Sequence, residues 1–193
     1  MKLTSTAFQN NKIDLNFGKF AQESYMVDGI PSVSFDVQWE LENIKSNYVH
    51  LIFVDFDAIG AMGKPFIHWT VANMDKNQFP NGLPLNASLN LSNQLQQGFN
   101  SLIGSKSDNN GHNITDVNVV RNPLYWQDYN WYIGPMPPNE DHLYTLFVFT
   151  TENKINVNDA FNPGELFKVL FNEPEKVIES NKLQGIYPVS LNK

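Results

Sequence analysis

The sequence Val49-His50-Leu51-Ile52-Phe53-Val54-Asp55-Phe56 decides the fold of this chain. Apart from His50 and Asp55 every residue in it is apolar, and most of the apolar ones are β-branched or aromatic. Such residues favour strands, and a strand with apolar side chains on both faces is typical of the interior of a sheet. We therefore expect residues 49–56 to form a central strand.

Segments of similar composition flank this stretch along the chain. In residues 33–40 apolar and polar side chains alternate, which predicts a strand with one buried face and one wet face that includes Ser34 and Asp36. Further strands are predicted at 67–74, 115–120 and 143–151, with turns at Asn81-Gly82, Asn110-Gly111 and 135–138. The body of the chain is therefore expected to be mainly β.

Helical signals are concentrated near the C-terminus. Asn162-Pro163-Gly164-Glu165 combines a capping residue, a proline and an acid in the order that predicts the start of a short helix. A second helix is predicted from Pro174 over roughly residues 175–181, with Gly185 ending it. Residues 89–97 give a weaker signal for a helical or irregular stretch, and residues 104–113 are polar and turn-rich enough to predict a surface loop.

Composition excludes several classes of protein. The 193 residues, 41% of them hydrophobic and 17% charged, are enough for one well-buried core and predict a single domain. A net charge of −7, without a basic cluster, disfavours nucleic acid and anionic membrane as partners. The chain has no cysteine, no apolar leader and no apolar run long enough to span a membrane, which favours a cytoplasmic location.

Five polar side chains next to apolar strands are candidates for one shared site: Asp55, Asp57, His68, His142 and Tyr144. Side chains two residues apart in a strand share a face, which would pair the two acids with each other and the second histidine with the tyrosine. A few convergent polar groups in an apolar pocket are typical of a ligand site. Two other interpretations stay open, because aspartates at strand ends often bond to turns and lone histidines are commonly core residues.

Other motifs narrow the chemistry. The chain has no Gly-x-Ser-x-Gly elbow, no phosphate-binding P-loop and no metal-ligand spacing, so no catalytic residue, metal or cofactor is expected. His50 and His112 are interpreted as a strand-face residue and a loop-surface residue.

The order of the motifs resembles one known family. Along the chain stand Asp55-Phe56-Asp57-Ala58, His68-Trp69-Thr70-Val71-Ala72-Asn73, Arg121-Asn122, Tyr132-Ile133-Gly134-Pro135-Met136-Pro137-Pro138 and His142-Leu143-Tyr144. This set is similar to that of the phosphatidylethanolamine-binding proteins, also called Raf kinase inhibitor-like proteins, and especially to their bacterial branch. The resemblance runs from about residue 30 to Tyr187. It implies an antiparallel β-sandwich with small helices and one domain over residues 1–193.

The resemblance also implies a cavity for small anions and phosphorylated head groups. Nine residues would line it: Asp55, Asp57, Ala58, Phe66, His68, Gly134, Pro135, His142 and Tyr144. The family's Asp-Pro-Asp-Ala-Pro motif is Asp55-Phe56-Asp57-Ala58-Ile59 here, so both prolines are lost and the turn they fix is expected to differ. The family's arginine is Leu143, on the strand face opposite the cavity.

The leading hypothesis is a binding module without turnover. In it His68, His142 and Tyr144 donate hydrogen bonds to phosphate or to a ligand like phosphoethanolamine, while an aspartate orients a histidine or meets an amine. Two alternatives stay open: a hydrolase or lyase with a histidine as general acid/base, and an inhibitor of kinases or proteases that acts by protein contact. The resemblance is also compatible with a homodimer, and it identifies no protein target.

Overall fold

The computed structural model describes residues 1–104, 130–158 and 160–191. Twelve strands lie in these ranges: β1 Lys2–Thr4, β2 Phe8–Gln9, β3 Lys12–Ile13, β4 Met26–Val27, β5 Ile30–Pro31, β6 Val37–Glu40, β7 Tyr48–Asp55, β8 Phe66–Asp75, β9 Gly82–Leu83, β10 Gln96–Gly98, β11 His142–Thr151 and β12 Val177–Tyr187. Several predictions fall outside the described residues: the strand at 115–120, the Asn110-Gly111 turn, His112, Arg121-Asn122 and, apart from Gly104, the loop at 104–113.

Seven of the strands form one sheet in the order β10-β8-β7-β11-β12-β3-β2. β7 lies in its interior, antiparallel to β8 on one side and to β11 on the other. Every side chain from Val49 to Val54 is 0% exposed, which confirms the predicted central strand. The sheet is mixed, because β3 runs parallel to β12 while its other strand pairs are antiparallel.

A smaller sheet, in the order β1-β6-β9, covers one face of the large sheet. Leu3 and Trp39 from the small sheet share a buried cluster with Leu51 and Trp69 from the large one. Two sheets that bury their inner faces against each other form a sandwich, and the described chain is mainly β with a few short helices. This agrees with the expected fold class.

The prediction of a wet face for residues 33–40 is only half right. Gln38 and Glu40 are exposed, but the strand begins at Val37, and Ser34 and Asp36 are buried. Ser34 Oγ accepts the Ser88 N–H at 3.1 Å, and Asp36 accepts the Thr6 N–H at 3.0 Å. Both polar groups are buried because neighbouring backbone donors satisfy them, which a periodic pattern does not reveal.

Three α-helices are described: α1 Ala58–Met62, α2 Ala87–Asn90 and α3 Gly164–Asn172. Short 3₁₀ turns lie at Leu15–Phe17, Glu23–Tyr25, Ser101–Gly104 and Pro174–Lys176. The stretch at 89–97 begins with the end of α2, continues as turns over residues 91–95 and ends in β10. In the part of the chain described here, no helix combines the length and apolarity that crossing a membrane requires.

The predicted start of α3 is confirmed. Asn162 Oδ1 accepts the Gly164 N–H at 2.9 Å, and Pro163 already has helical backbone angles. The buried side of the helix, Leu166 and Val169, packs on the second face of the large sheet. Both faces of the central strands are therefore covered, which is why β7 is apolar on both sides.

The helix predicted over residues 175–181 is wrong. Only Pro174–Lys176 forms a 3₁₀ turn, and the chain then runs as the eleven-residue strand β12, paired with β11 from Val177 to Tyr187. Gly185 does not end a helix but lies in this strand, where a Cβ would be 2.8 Å from Ile13 Cγ1. Pairing with a long buried neighbour overrides the local helical propensity of this polar segment.

Candidate functional site

Four of the predicted site residues come together at one end of the large sheet. Asp55 ends β7, His68 lies in β8, and His142 and Tyr144 begin β11. Tyr144 is the register partner of Asp55 across the sheet. All four are at most 4% exposed. We call these four residues the polar cluster.

An acid–base pair joins two members of the cluster. His142 Nδ1 donates to Asp55 Oδ2 at 2.8 Å, and the other carboxylate oxygen accepts the Ala58 N–H at 3.1 Å. The carboxylate therefore fixes both the imidazole and the start of α1. His142 Nε2 faces the side-chain amide of Asn139 at 3.1 Å. A buried carboxylate requires partners of this kind, since an unpaired one would cost several kcal/mol to desolvate.

His68 occupies a β-bulge. Val54 pairs with Ile67 and Phe53 with Trp69, so His68 is the extra residue without a partner on β7. Its backbone and side chain bond to Ile133 instead: the Ile133 N–H donates to the His68 carbonyl at 3.0 Å, and Nδ1 donates to the Ile133 carbonyl at 2.7 Å. Bulges of this type re-aim side chains, and this one holds the imidazole by its Nδ1 edge.

The other nitrogen of His68 is buried and has no hydrogen-bond partner among the described residues. Burial lowers the pKa of His68 to about 4, against an opposing effect of the Asp55 carboxylate. Near neutral pH the ring is therefore uncharged. Because Nδ1 carries the proton that bonds to Ile133, Nε2 offers a lone pair.

Tyr144 has the second unpartnered polar atom of the cluster. Its buried hydroxyl meets none of the described residues at hydrogen-bond distance and angle, but the Asp55 carboxylate is close enough to interact with it as an acceptor. Burial, together with that negative charge, raises the pKa of Tyr144 well above its usual value, so the hydroxyl keeps its proton. Its ring lies edge-on to the His68 ring, with centroids 5.2 Å apart.

Apolar side chains surround the polar cluster. The Phe66 and Phe53 rings lie 4.6 and 5.3 Å from the His68 ring, centroid to centroid. Phe66 belongs to a small buried group with Ala58 and Ile133. Polar atoms in such surroundings interact strongly with any group that reaches them, because little water is present to compete. The structure thus places Ala58 and Phe66 beside the cluster, and their part in lining a ligand cavity stays a prediction.

Asp57 is placed differently from the prediction. β7 ends at Asp55, so the two-residue period no longer applies, and Asp57 is exposed at the start of α1. Its Oδ2 accepts the Leu143 N–H at 2.8 Å. The two aspartates therefore do not form a pair on one strand face. Leu143 itself is 41% exposed, on the opposite face of β11 from the cluster, as expected.

Gly134 and Pro135 are buried, and their backbone bonds are to other segments. The Gly134 N–H donates to the Pro31 carbonyl at 2.8 Å, and the Pro135 carbonyl accepts the Lys19 N–H at 2.9 Å. A Cβ on Gly134 would lie 2.2 Å from the Phe17 carbonyl oxygen. These two residues anchor the chain that carries Ile133, and their role is to position the neighbours of His68.

Sequence reasoning did not identify three neighbours of the polar cluster: Phe53, Ile133 and Asn139. Phe53 could have been found from its two-residue spacing to Asp55, which places both on one strand face. Ile133 acts through its backbone carbonyl, which no side-chain pattern reveals. His50 lies in a strand, as interpreted, and is buried: its Nδ1 accepts the Asn73 N–H at 3.1 Å and its Nε2 lies 2.9 Å from Thr151 Oγ1.

Two further features complete the description of possible sites. Within the described ranges, no group of three or more histidine or acidic side chains is arranged to hold a metal ion. A cavity of about 910 Å³ is lined mainly by residues 6–22 and 186–191, and none of the polar cluster lines it. The polar cluster is therefore a separate feature of the molecule.

Comparisons with known proteins agree with this fold. A mainly β fold of two packed sheets with a few short helices defines its class. The family model described as phosphatidylethanolamine-binding protein matches residues 4–188, and the chain belongs to this family.

Three individual proteins are similar to this chain in sequence or in fold. The uncharacterized protein YxkA of Bacillus subtilis (strain 168) is 32% identical over 152 residues, which cover 79% of this chain and 81% of that protein. Two crystal structures share the fold with a TM-score of 0.66 each. One is a putative phosphatidylethanolamine-binding protein homolog, CT736, from Chlamydia trachomatis, with 18% identity and 96% and 95% of the two chains covered. The other is E. coli YbcL, with 17% identity and 98% of each chain covered.

Proposed function

We propose that this protein is a binding module for small anions or phosphorylated head groups, with the polar cluster as its binding site. One observation carries the proposal: the buried Nε2 of His68 and the buried hydroxyl of Tyr144 both lack a hydrogen-bond partner among the described residues. Buried polar atoms are nearly always satisfied, and exceptions in a native structure are typical of functional sites. Membership of the phosphatidylethanolamine-binding protein family supports the choice of ligand class.

Each member of the cluster has a distinct part in the proposed binding. The Tyr144 hydroxyl donates to a ligand oxygen, and Asp55 keeps the His142 ring in place through Nδ1, so that the Nε2–H of the imidazolium form can exchange the Asn139 oxygen for a ligand oxygen. Hydrogen bonds to a charged group contribute about 1.5–3 kcal/mol each. Two such bonds together contribute about 3–6 kcal/mol, which corresponds to a Kd between roughly several millimolar and tens of micromolar. Apolar contacts to Phe66 would make the binding tighter.

Calorimetry on matched histidine variants tests this proposal. Phosphoethanolamine is titrated into the wild type, into His142→Gln and into His50→Gln, which changes another buried histidine outside the polar cluster. We expect at least a fivefold loss of affinity in His142→Gln and none in His50→Gln. Circular dichroism confirms that each variant is folded. Absence of binding to the wild type, or equal binding to both variants, would refute the proposal.

A catalytic function is the second candidate, because the Asp55–His142 pair has the geometry of a general base with its orienting acid. A panel of phosphoesters and carboxylic esters, tested on the wild type and on Asp55→Asn, separates the two functions. Turnover that disappears in the variant would support an enzyme. Ligand binding without turnover of any ester would support the binding module.

A further inference from the structure

The polar cluster is short of free hydrogen-bond donors. At the turn between β7 and α1 the Ala58 N–H is bonded to Asp55, and the N–H groups of the next two residues are bonded to carbonyls within the same turn. The N–H groups of Ile133 and Gly134 are also occupied. A bound anion therefore cannot use these five backbone N–H groups, although such donors commonly hold phosphate at turns and helix starts.

His68 adds an acceptor rather than a donor. Its Nδ1–H donates to the Ile133 carbonyl at 2.7 Å, and its own carbonyl accepts the Ile133 N–H at 3.0 Å. These two bonds hold the residue against the segment that carries Ile133. Nε2 then presents a lone pair, which repels an oxygen that carries only lone pairs. An anion without a proton of its own would leave Nε2 unsatisfied, at the energetic penalty of a buried polar atom without a partner.

The charged and titratable groups that face His68 come from two neighbouring strands. Asp55 from β7 brings a negative charge that attracts a proton to this space, and His142 and Tyr144 come from β11. His142 is held by the Asp55 carboxylate. The local field therefore favours a proton between His68 and any ligand oxygen, but burial prevents the empty site from keeping one on the ring.

We propose that the site takes its ligand as a proton-carrying anion, a monoanionic phosphoryl group whose O–H donates to Nε2 of His68. This inference rests on the proposed function and adds the protonation state of the ligand to it. A phosphate monoester has its second pKa at about 6, so about half of it carries the proton at pH 6 and about a tenth at pH 7. A sulfate ester has the same tetrahedral shape and carries no proton there.

Two ligands of equal size test the proposal on the wild-type protein. Phosphoethanolamine and ethanolamine O-sulfate are titrated by calorimetry at pH 6, 7 and 8. We expect the affinity for phosphoethanolamine to fall roughly 50-fold from pH 6 to pH 8, as the monoanion fraction falls. Ethanolamine O-sulfate is expected to bind at least tenfold more weakly at pH 6. The sulfate ester also serves as the control for any pH dependence that does not come from the proton of the ligand.

Proton uptake gives a second measurement that needs no variant. Titrations of phosphoethanolamine at pH 7 in buffers of different ionisation enthalpy should show uptake of about 0.9 proton per ligand bound, the fraction of dianion present. Uptake near zero, equal affinity at pH 6 and pH 8, or equal binding of the two ligands would overturn the inference while leaving the proposed function intact. Failure of phosphoethanolamine to bind at every pH would overturn both.

A variant then locates the proton. His68→Gln replaces the lone pair with an amide that can donate as well as accept. We expect this variant to bind both ligands, with an affinity for phosphoethanolamine that changes less than threefold between pH 6 and pH 8. An unchanged 50-fold dependence in His68→Gln would show that the proton is held elsewhere and would refute the role of His68.

Discussion

Two buried tyrosines on neighbouring strands allow a paired test of the polar cluster. Tyr144 in β11 and Tyr187 in β12 are both 0% exposed. The Tyr187 hydroxyl accepts the Phe20 N–H at 3.0 Å and donates to the Leu15 carbonyl at 2.8 Å. The Tyr144 hydroxyl has no such bonds to the described residues. Removal of one oxygen atom should therefore have opposite consequences at the two positions.

The magnitudes follow from the bonds that are lost. Tyr187→Phe loses two hydrogen bonds of about 1 kcal/mol each, so the free energy of unfolding should decrease by about 2 kcal/mol. In a chain of this size that lowers the Tm by about 4–8 °C. Tyr144→Phe removes a buried polar atom that no described group satisfies, so the free energy of unfolding should stay the same or increase by about 1 kcal/mol.

Urea unfolding measures the stability of the two variants, and calorimetry measures their affinity for the ligand. Tyr144→Phe should bind phosphoethanolamine about tenfold more weakly than the wild type, which corresponds to about 1.4 kcal/mol. Tyr187→Phe should bind it with unchanged affinity at a temperature where it is folded. A stability loss in Tyr144→Phe as large as that in Tyr187→Phe would refute the reasoning, because it would mean that the Tyr144 hydroxyl already has a partner in the unliganded protein.

Three further predictions concern the Asp55–His142 pair, the close packing around Gly134 and the pH dependence of stability. Asp55→Ala leaves His142 buried without its carboxylate and should decrease the free energy of unfolding by about 3 kcal/mol in urea; a loss below about 1 kcal/mol would show that the pair contributes little. Gly134→Ala puts a Cβ 2.2 Å from a backbone carbonyl and should weaken both stability and ligand binding, whereas Gly60→Ala, whose Cβ would make only an ordinary contact of 4.0 Å with Asn139 Nδ2, should leave the Tm within about 2 °C or raise it. Burial lowers the pKa of His68 to about 4, so the unfolded chain takes up a proton below about pH 6.5 that the folded chain excludes until about pH 4. Stability should therefore decrease by roughly 3 kcal/mol from this residue as the pH falls through that window, and urea midpoints that stay constant from pH 7 to pH 4.5 would contradict it.

Several parts of the fold could be predicted because they depend on local composition. The segments that became β7, β8 and β11 are apolar, β-branched and aromatic over eight to ten residues, and such segments have few alternatives to a buried strand. The start of α3 could be predicted for a similar reason, since its capping residue, proline and acid are adjacent in sequence. β12 could not be predicted, because its polar residues are extended only by pairing with β11.

The candidate site, too, could be predicted from the sequence only in part. The sequence by itself determined the family, the central sheet and the residue types of the polar cluster, because these depend on composition and on the order of short motifs. Only the tertiary structure decided that Asp55 rather than Asp57 pairs with His142, and that a bulge leaves His68 bonded to Ile133 with an Nε2 that none of the described residues satisfies. The physical reason is that a side chain's partners across a sheet are set by register, bulges and strand ends, which depend on segments far apart in the sequence.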